Sequence, residues 1–369
     1  MVVALLRAHS HACLLTEWII DDGNSTKFRL RRHVEPVKQL EVGVVLYPAV
    51  QQASVLGLTD LFCVANACAA SYGAQSNIPL RVTHWEQPAP GVAPVRVFDN
   101  GASRVSILSA LILPPSLAEP TGGASDSSLT AWRCEQHGRG VVIGSVCAGA
   151  FLLAETGLMT GRPMTTHWTY ADLLKSRFPD VNVDVNRLII DDGDVISAGG
   201  LMSWTDLGLR LVDRLLGPTV MLATARMMLV DPPGREQRYY SVFSPRLSHG
   251  DAAVLKVQHW LQATQGKETR LQVLAEQANL EERTLLRRFQ KATGMTTTEY
   301  CQHLRVGRAK ELLQFDSAPI DRVAWEVGYS DPGAFRKIFA RIAGLSPSAY
   351  RRRFSVGNVG GAGGTSRES

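Results

Sequence analysis

Two groups of side chains in this chain have the types and spacing to do chemistry. The first is basic. Arg283, Thr284, Arg287 and Arg288 lie close together, and Arg336 and Lys337 repeat the theme about fifty positions later, just behind Pro332 and Gly333. Guanidinium and ammonium groups on one helix face can grip phosphate oxygens and the acceptor edge of guanine. The second is a thiol, Cys147, within Ser145-Val146-Cys147-Ala148-Gly149-Ala150. The apolar run Val141–Val146 precedes it, and Phe151–Thr156 opens a helix after it. A thiol there sits on a sharp turn at the carboxyl end of a strand, beside a helix N-terminus. Such a place favours thiolate and suits a nucleophile.

The basic residues need helices to hold them. Leu271, Leu274, Ala275 and Ala278 recur at helical spacing, Asn279-Leu280 interrupts, and Leu285 and Phe289 then point inward four apart. Arg283, Thr284, Leu286, Arg287 and Arg288 must face elsewhere. The pattern returns with Ile320, Val323, Ala324 and Val327, the turn Gly328–Pro332, and the inward pair Phe335 and Phe339. Proline suits the first position of the helix that follows. Between the copies, Tyr300–Leu313 reads as one longer helix with Leu304, Ala309, Leu312 and Leu313 on its buried side. Two helix-turn-helix units held one groove repeat apart, about 34 Å, can enter successive major grooves of B-DNA. The charge agrees. Residues 251–354 hold 17 Lys and Arg against 11 Asp and Glu, while the rest of the chain holds 22 against 23. The whole positive excess sits on the helical segment, the footprint of a polyanion partner and not of an ordinary helical bundle.

This segment resembles the AraC-type transcriptional regulators, whose DNA-binding domain is two helix-turn-helix units joined by a long helix. The resemblance rests on LAEQANLEERTLLRRFQKATGMTTTEYCQHLR, RAKELL and VAWEVGYSDPGAFRKIFARIAGLSPSAYRRRF and covers about a hundred residues. It implies that Arg283, Thr284, Arg287, Arg288, Pro332, Gly333, Arg336 and Lys337 face DNA. Among these, Arg283, Arg287, Arg336 and Lys337 are expected at base edges. Arg288, Lys291, Arg341 and the run Arg351-Arg352-Arg353 are expected at phosphate or solvent. One position departs from the family: Glu281 stands where Ser often starts the first recognition helix, and Glu is a weaker N-cap.

The remainder reads differently. A length of 369 residues suggests two domains and a tail, and 45% apolar with 20% charged residues fits an ordinary soluble protein. No run of about 18 apolar residues predicts a membrane span. Cys13, Cys63, Cys68, Cys134, Cys147 and Cys301 lack paired metal spacing, so free thiols in a reducing cytoplasm are expected. Residues 1–40 read as a loosely ordered extension with solvated His9, His11 and His33, without a signal-peptide core. From Glu41, strands at Val42–Leu46, Leu80–Trp85, Ser106–Leu113 and Val141–Val146 alternate with helices at Val55–Ala70 and Leu129–His137. That order predicts a parallel sheet covered on both faces. A hairpin at Asp191–Asp194 joins two later strands, and Thr205–Leu216 and Pro218–Leu229 close the domain as helices.

Residues 41–230 resemble the PfpI-like branch of the class I glutamine amidotransferase-like fold, on VGVVLYP, IGSVCAGAFLLAETGLMTGRPMTTHW and Gly199-Gly200. Active members carry His directly after the Cys, where this chain has Ala148. They carry an acid after the first strand, where it has Gln51, Gln52 and Ser54. They carry glycines after the strand ending near Leu113, where it has Pro114 and Pro115, and proline has no N–H to donate. His167 can approach Cys147 in such a fold but does not restore the set. The expectation is therefore a non-enzymatic sensor, with Cys147, His167 and Trp168 as candidate effector-pocket residues at the carboxyl ends of the strands, although His167 and Trp168 fit packed core equally well. Asp172 and Asp206 read as helix-surface charges.

The expected architecture is a flavodoxin-like α/β sandwich followed by an all-α double helix-turn-helix domain. Its boundaries are an extension at 1–40, the sensor at 41–230, a linker at 231–250, the DNA-binding domain at 251–354 and a disordered tail at 355–369. The expected function is a cytoplasmic, dimeric, DNA-binding regulator, an activator acting on RNA polymerase, without cofactor, metal or membrane. The resemblance implies a small-molecule effector. Small nitrogenous metabolites are the class linked to relatives, and no residue set here selects one. The alternative is a cysteine-dependent hydrolase or lyase fused to a DNA-binding domain.

Overall fold

The computed structural model describes residues 39–71, 79–101, 106–120, 126–231, 236–245, 247 and 249–355. His9, His11, Cys13, His33, Pro232-Pro233-Gly234 and all but the first residue of the expected tail lie outside them.

The first strand, β1 (Gln39–Leu46), sends Val42 and Val44 into one apolar layer and Val45 into another. A strand with apolar residues on both faces belongs inside a covered parallel sheet. After it come α1 (Gln52–Ser71), β2 (Arg81–Glu86), β3 (Val95–Asp99), β4 (Ser106–Leu113), α2 (Ser127–Gly138), β5 (Val142–Val146) and α3 (Gly149–Ala154). The front part continues through β6 (Pro163–Met164), α4 (Ala171–Arg177), β7 (Asn182–Val183), β8 (Ile189–Asp191) and β9 (Val195–Ala198). It closes with α5 (Trp204–Leu216) and α6 (Pro218–Met228). Seven strands form one sheet in the order β3-β2-β1-β4-β5-β9-β8. The five inner strands pair in parallel, and antiparallel β3 and β8 finish the two edges. Leu58, Phe62, Leu207 and Leu211 fill one side of the sheet, and Leu129, Trp132, Phe151 and Leu174 the other. The expected α/β sandwich is therefore present, with β8 and β9 joined by the expected hairpin.

Three details differ from the expectations. All five residues of β3 are exposed, so this edge strand has no apolar alternation to announce it. Asp206 is only 1% exposed and is no surface charge. It lies in the first turn of α5, which α1 and α6 cover beyond the sheet itself. Finally, α1 is long and apolar enough to cross a membrane by length and composition, with a mean hydropathy of 1.5. Its Leu58, Leu61, Phe62 and Ala65 are fully buried in the core, which accounts for that composition without a bilayer.

The C-terminal part is all helix: α7 (Ala252–Ala263), α8 (Leu271–Ala278), α9 (Glu282–Thr293), α10 (Thr297–Phe315), α11 (Ile320–Glu326), α12 (Pro332–Ala343) and α13 (Pro347–Phe354). Thr296 and Glu299 form a reciprocal capping box that starts α10. One core holds Leu274, Leu285, Phe289 and Tyr300, and a second holds Val323, Phe335, Phe339 and Tyr350. The connecting helix gives Tyr300 and Cys301 to the first core and Val306, Ala309, Leu312 and Leu313 to the second. Leu304 is half-buried against the first core. The expected long helix thus joins two small units.

Candidate functional site

The two recognition helices start differently. Asp331 caps α12 by accepting from Gly333 N at 2.8 Å and Ala334 N at 3.1 Å, with Pro332 as its first residue. Glu281 precedes α9 without any side-chain cap bond, in keeping with the weak cap expected there. Leu285, Phe289, Phe335 and Phe339 are fully buried, which fixes how each helix is rotated. Arg283, Arg287, Arg336 and Lys337 are then exposed, while Thr284, Pro332 and Gly333 are half-buried near the helix starts.

Several arginines expected at phosphate or solvent have partners within the chain. Arg288 grips Asp251, the N-cap of α7, through Nε at 2.8 Å and Nη2 at 2.6 Å. Arg341 donates to Gln302 Oε1 at 2.6 Å, Arg351 to the Ala318 carbonyl at 2.6 Å, and Arg353 to Tyr240 Oη at 3.0 Å. Their guanidinium groups hold helices and turns together. Of the four side chains expected at bases, Arg336 pairs with Asp321, with both partners about half exposed.

In the front part, Cys147 follows β5 directly and has φ of 54°. A non-glycine residue is strained in this left-handed region. The turn is pinned on both sides: Cys147 N donates to Ala198 O at 2.8 Å, and Thr166 Oγ1 donates to Cys147 O at 2.8 Å. A Cβ at position 149 would strike the carbonyl oxygens of Leu113 and Pro114, so Gly149 is what lets α3 start there. The elbow expected from the sequence is therefore built.

Its chemistry departs from the expectation of thiolate. Cys147 is 2% exposed, and burial pushes its thiol from the ordinary 9.0 up to about 11, against a smaller opposing pull from the Ala148 N–H. Desolvation outweighs the short helix behind it, because α3 has only six residues. His167 is engaged with its own loop through one ring nitrogen. The His167 Nδ1 faces Thr169, 2.7 Å from its hydroxyl and 3.2 Å from its N–H, and burial pushes the imidazole pKa down. Trp168 and Tyr170 flank that ring at 5.5 and 5.9 Å. Burial and, to a lesser extent, the Cys147 thiol push the Tyr47 phenol up, and the Tyr47 hydroxyl is bonded to Pro114 O.

One residue that the sequence did not single out sits against this region. The carboxamide of Gln237, from the expected linker, is held by the loop that carries Thr165, Thr166 and Trp168. A glutamine in a segment without periodicity carries no signal for such a role.

Residues 274–353 match a helix-turn-helix domain family, and residues 105–214 match the DJ-1/PfpI family. The chain joins an AraC-type helix-turn-helix domain to a DJ-1/PfpI domain, the architecture of its transcriptional-regulator homologues. The HTH-type transcriptional regulator GlxA of Rhizobium meliloti is 28% identical over 238 residues, 64% of this chain and 72% of its own. GbdR, an HTH-type transcriptional regulator of Pseudomonas aeruginosa, is 27% identical over 223 residues, 60% of each chain. The helical part alone is 40% identical over 85 residues to the HTH-type transcriptional activator RhaR of Pectobacterium atrosepticum, 23% of this chain and 30% of that one. In this regulator, then, the two basic helix faces belong to the DNA-binding half and the Cys147 elbow to the front half.

Proposed function

We propose that this regulator is a one-component transcriptional activator in the cytoplasm, in which α9 and α12 read double-stranded DNA and the front domain binds a small-molecule effector. Arg283, Arg287, Arg336 and Lys337 contact base edges, with Thr284, Pro332 and Gly333 close to the backbone. The front domain pairs two chains, and the DNA-bound dimer engages RNA polymerase. Cys147, His167 and Trp168 border the effector site. The observation that supports a non-catalytic front domain is the thiol itself: buried and neutral near pH 7, with the His167 Nδ1 turned to Thr169. A thiol nucleophile needs both ionisation and a base. The competing possibility, a cysteine-dependent hydrolase or lyase, is favoured only by the strained φ of Cys147. A promoter-reporter comparison of wild type with Cys147→Ala, beside a thermal-shift screen of metabolites on both, tests the proposal. Intact regulation and an unchanged ligand response in Cys147→Ala are expected. Loss of regulation in a folded Cys147→Ala chain would return covalent chemistry to the front domain.

A further inference from the structure

Gln237 is 2% exposed, and both ends of its carboxamide are matched. Its Oε1 accepts from Trp168 N at 2.9 Å, and its Nε2 donates to Thr166 O at 2.9 Å and Val185 O at 3.0 Å. Its backbone N donates to Asn186 O at 3.2 Å. Gly199 leaves the room for this, since a Cβ there would lie 2.5 Å from Gln237 Nε2. The cradle therefore presents two carbonyl acceptors, a more distant hydroxyl acceptor at Thr165 Oγ1, 3.5 Å from Nε2, and one N–H donor in a buried place. A carboxylate would set its oxygens against two carbonyls. An ammonium or guanidinium would leave the Trp168 N–H facing a donor. A primary carboxamide satisfies the donor and the acceptors together.

The next residues of the same segment hold the DNA-binding half. Arg238 O accepts from Lys310 Nζ at 3.2 Å, and Arg238 Nη1 donates to Arg341 O at 3.2 Å, at the end of α12. The Tyr239 ring lies where a Cβ on Gly344 would fall. Gln237 and Arg238 are one Cα step apart, about 3.8 Å. The carboxamide therefore anchors the same backbone segment that rests on α10 and α12.

We propose that Gln237 is a tethered internal ligand in a carboxamide-recognising site of the front domain, and that an effector bearing a primary carboxamide or ureido group displaces it and releases the strap from the second recognition helix. This rests on the front domain being the sensing unit. It goes further by placing the site at Thr166, Val185 and Trp168 and by naming the ligand's chemistry. The cradle adjoins the elbow, because Thr166 also bonds the Cys147 carbonyl.

The test uses the full chain as wild type, Gln237→Ala and Gly199→Ala, with trypsin cleavage after Arg238 followed by mass spectrometry. Gly199→Ala crowds the Gln237 carboxamide out of the cradle while leaving the sequence of the strap unchanged, so changes on the two sides report on one contact. Acetamide is the probe and acetate the control. Both variants are expected to cleave about tenfold faster than wild type, the factor that a few lost buried hydrogen bonds readily supply. Acetamide should speed cleavage of wild type and add nothing in either variant, while acetate should have no effect. Equal cleavage in all three chains, or a wild type indifferent to acetamide, overturns the proposal. A metabolite that raises the melting temperature without changing cleavage after Arg238 would leave the sensing role intact and overturn the cradle as its site.

Discussion

Lys310 Nζ donates to the carbonyl oxygen of Ser241 at 2.8 Å. A buried ammonium on the connecting helix thus holds the segment that leads out of the front domain. Tyr240 meets Phe354 edge to face, and Phe243 meets Tyr300 in the same way. Residues 241–369 are expected to fold and bind DNA without effector, since both helix-turn-helix cores close on α10. Residues 236–369 should melt higher, because they keep the Arg238 carbonyl and the Tyr239 and Tyr240 rings. Each kcal/mol gained corresponds to about 4–8 °C for a domain of this size. Thermal unfolding of the two fragments by circular dichroism checks this, and equal melting temperatures would mean that the strap contributes nothing.

The pH dependence of that contact has a definite sign. Burial pushes the Lys310 ammonium from 10.5 down to about 8. The unfolded chain therefore holds more protons than the folded one between those values, and folding stability rises with pH across the window. The neutral amine still has two N–H donors for the Arg238 and Ser241 carbonyls. Urea unfolding of wild type and Lys310→Met below pH 8 and near pH 10 should show wild type gaining on the variant at the higher pH. A gap independent of pH would place the ammonium in a wetter site.

Cys147 has the opposite sign. Its thiol is held from 9.0 up to about 11, so its contribution to stability is complete below about pH 9 and is lost as pH rises through 11. The shift corresponds to about 2–3 kcal/mol at most. Iodoacetamide at neutral pH should label exposed Cys63 well before Cys147. Rapid alkylation of Cys147 in the folded chain would show an accessible thiolate and favour enzymatic chemistry.

Substitutions on the recognition helices should separate two kinds of arginine. Arg283→Ala and Arg287→Ala should each weaken operator binding by about 1–3 kcal/mol and relax specificity locally. Arg288→Ala should instead lower the stability of the DNA-binding domain, because it frees Asp251 at the start of α7. Asp251→Ala should produce a similar loss, and the double variant little more. Additive losses would mean that the pair is not coupled.

The contrast between those arginines marks how much could be read from the chain alone. Leu285 with Phe289 and Phe335 with Phe339 announced both helix-turn-helix units, because inward pairs at helical spacing are local patterns. The elbow at Cys147 was legible for the same reason, as an apolar strand followed by small residues and a helix. Arg288, Arg351 and Arg353 looked like their solvent-facing neighbours, since their partners Asp251, Ala318 and Tyr240 lie far away in sequence. Gln237 was invisible on the same grounds: the partners of its carboxamide come from Thr165, Thr166, Trp168 and Val185, none of them near it in the chain. Neither the exposed edge strand β3 nor the buried Asp206 follows a period that marks it. The burial of Cys147, which reversed the expected ionisation, depends on packing from several elements at once.

If the front domain pairs two chains, residues 41–240 should sediment as a dimer at micromolar concentration. The full chain should then bind a two-half-site operator about a hundredfold or more tighter than a single half-site, through effective concentration. The isolated helical domain should gain little. A monomeric front domain, or equal gain for both proteins, would leave the effector acting within one chain.

The most direct measurement is a hydroxyl-radical footprint of the full chain on operator DNA, repeated with Arg287→Ala and with Lys337→Ala. Two helix-turn-helix units reading together should protect two patches one helical turn apart, about 10 base pairs, on one face of the duplex. Each substitution should weaken the patch belonging to its own helix, α9 or α12. Protection of a single groove, or a footprint that neither substitution changes, would contradict DNA reading by the paired recognition helices.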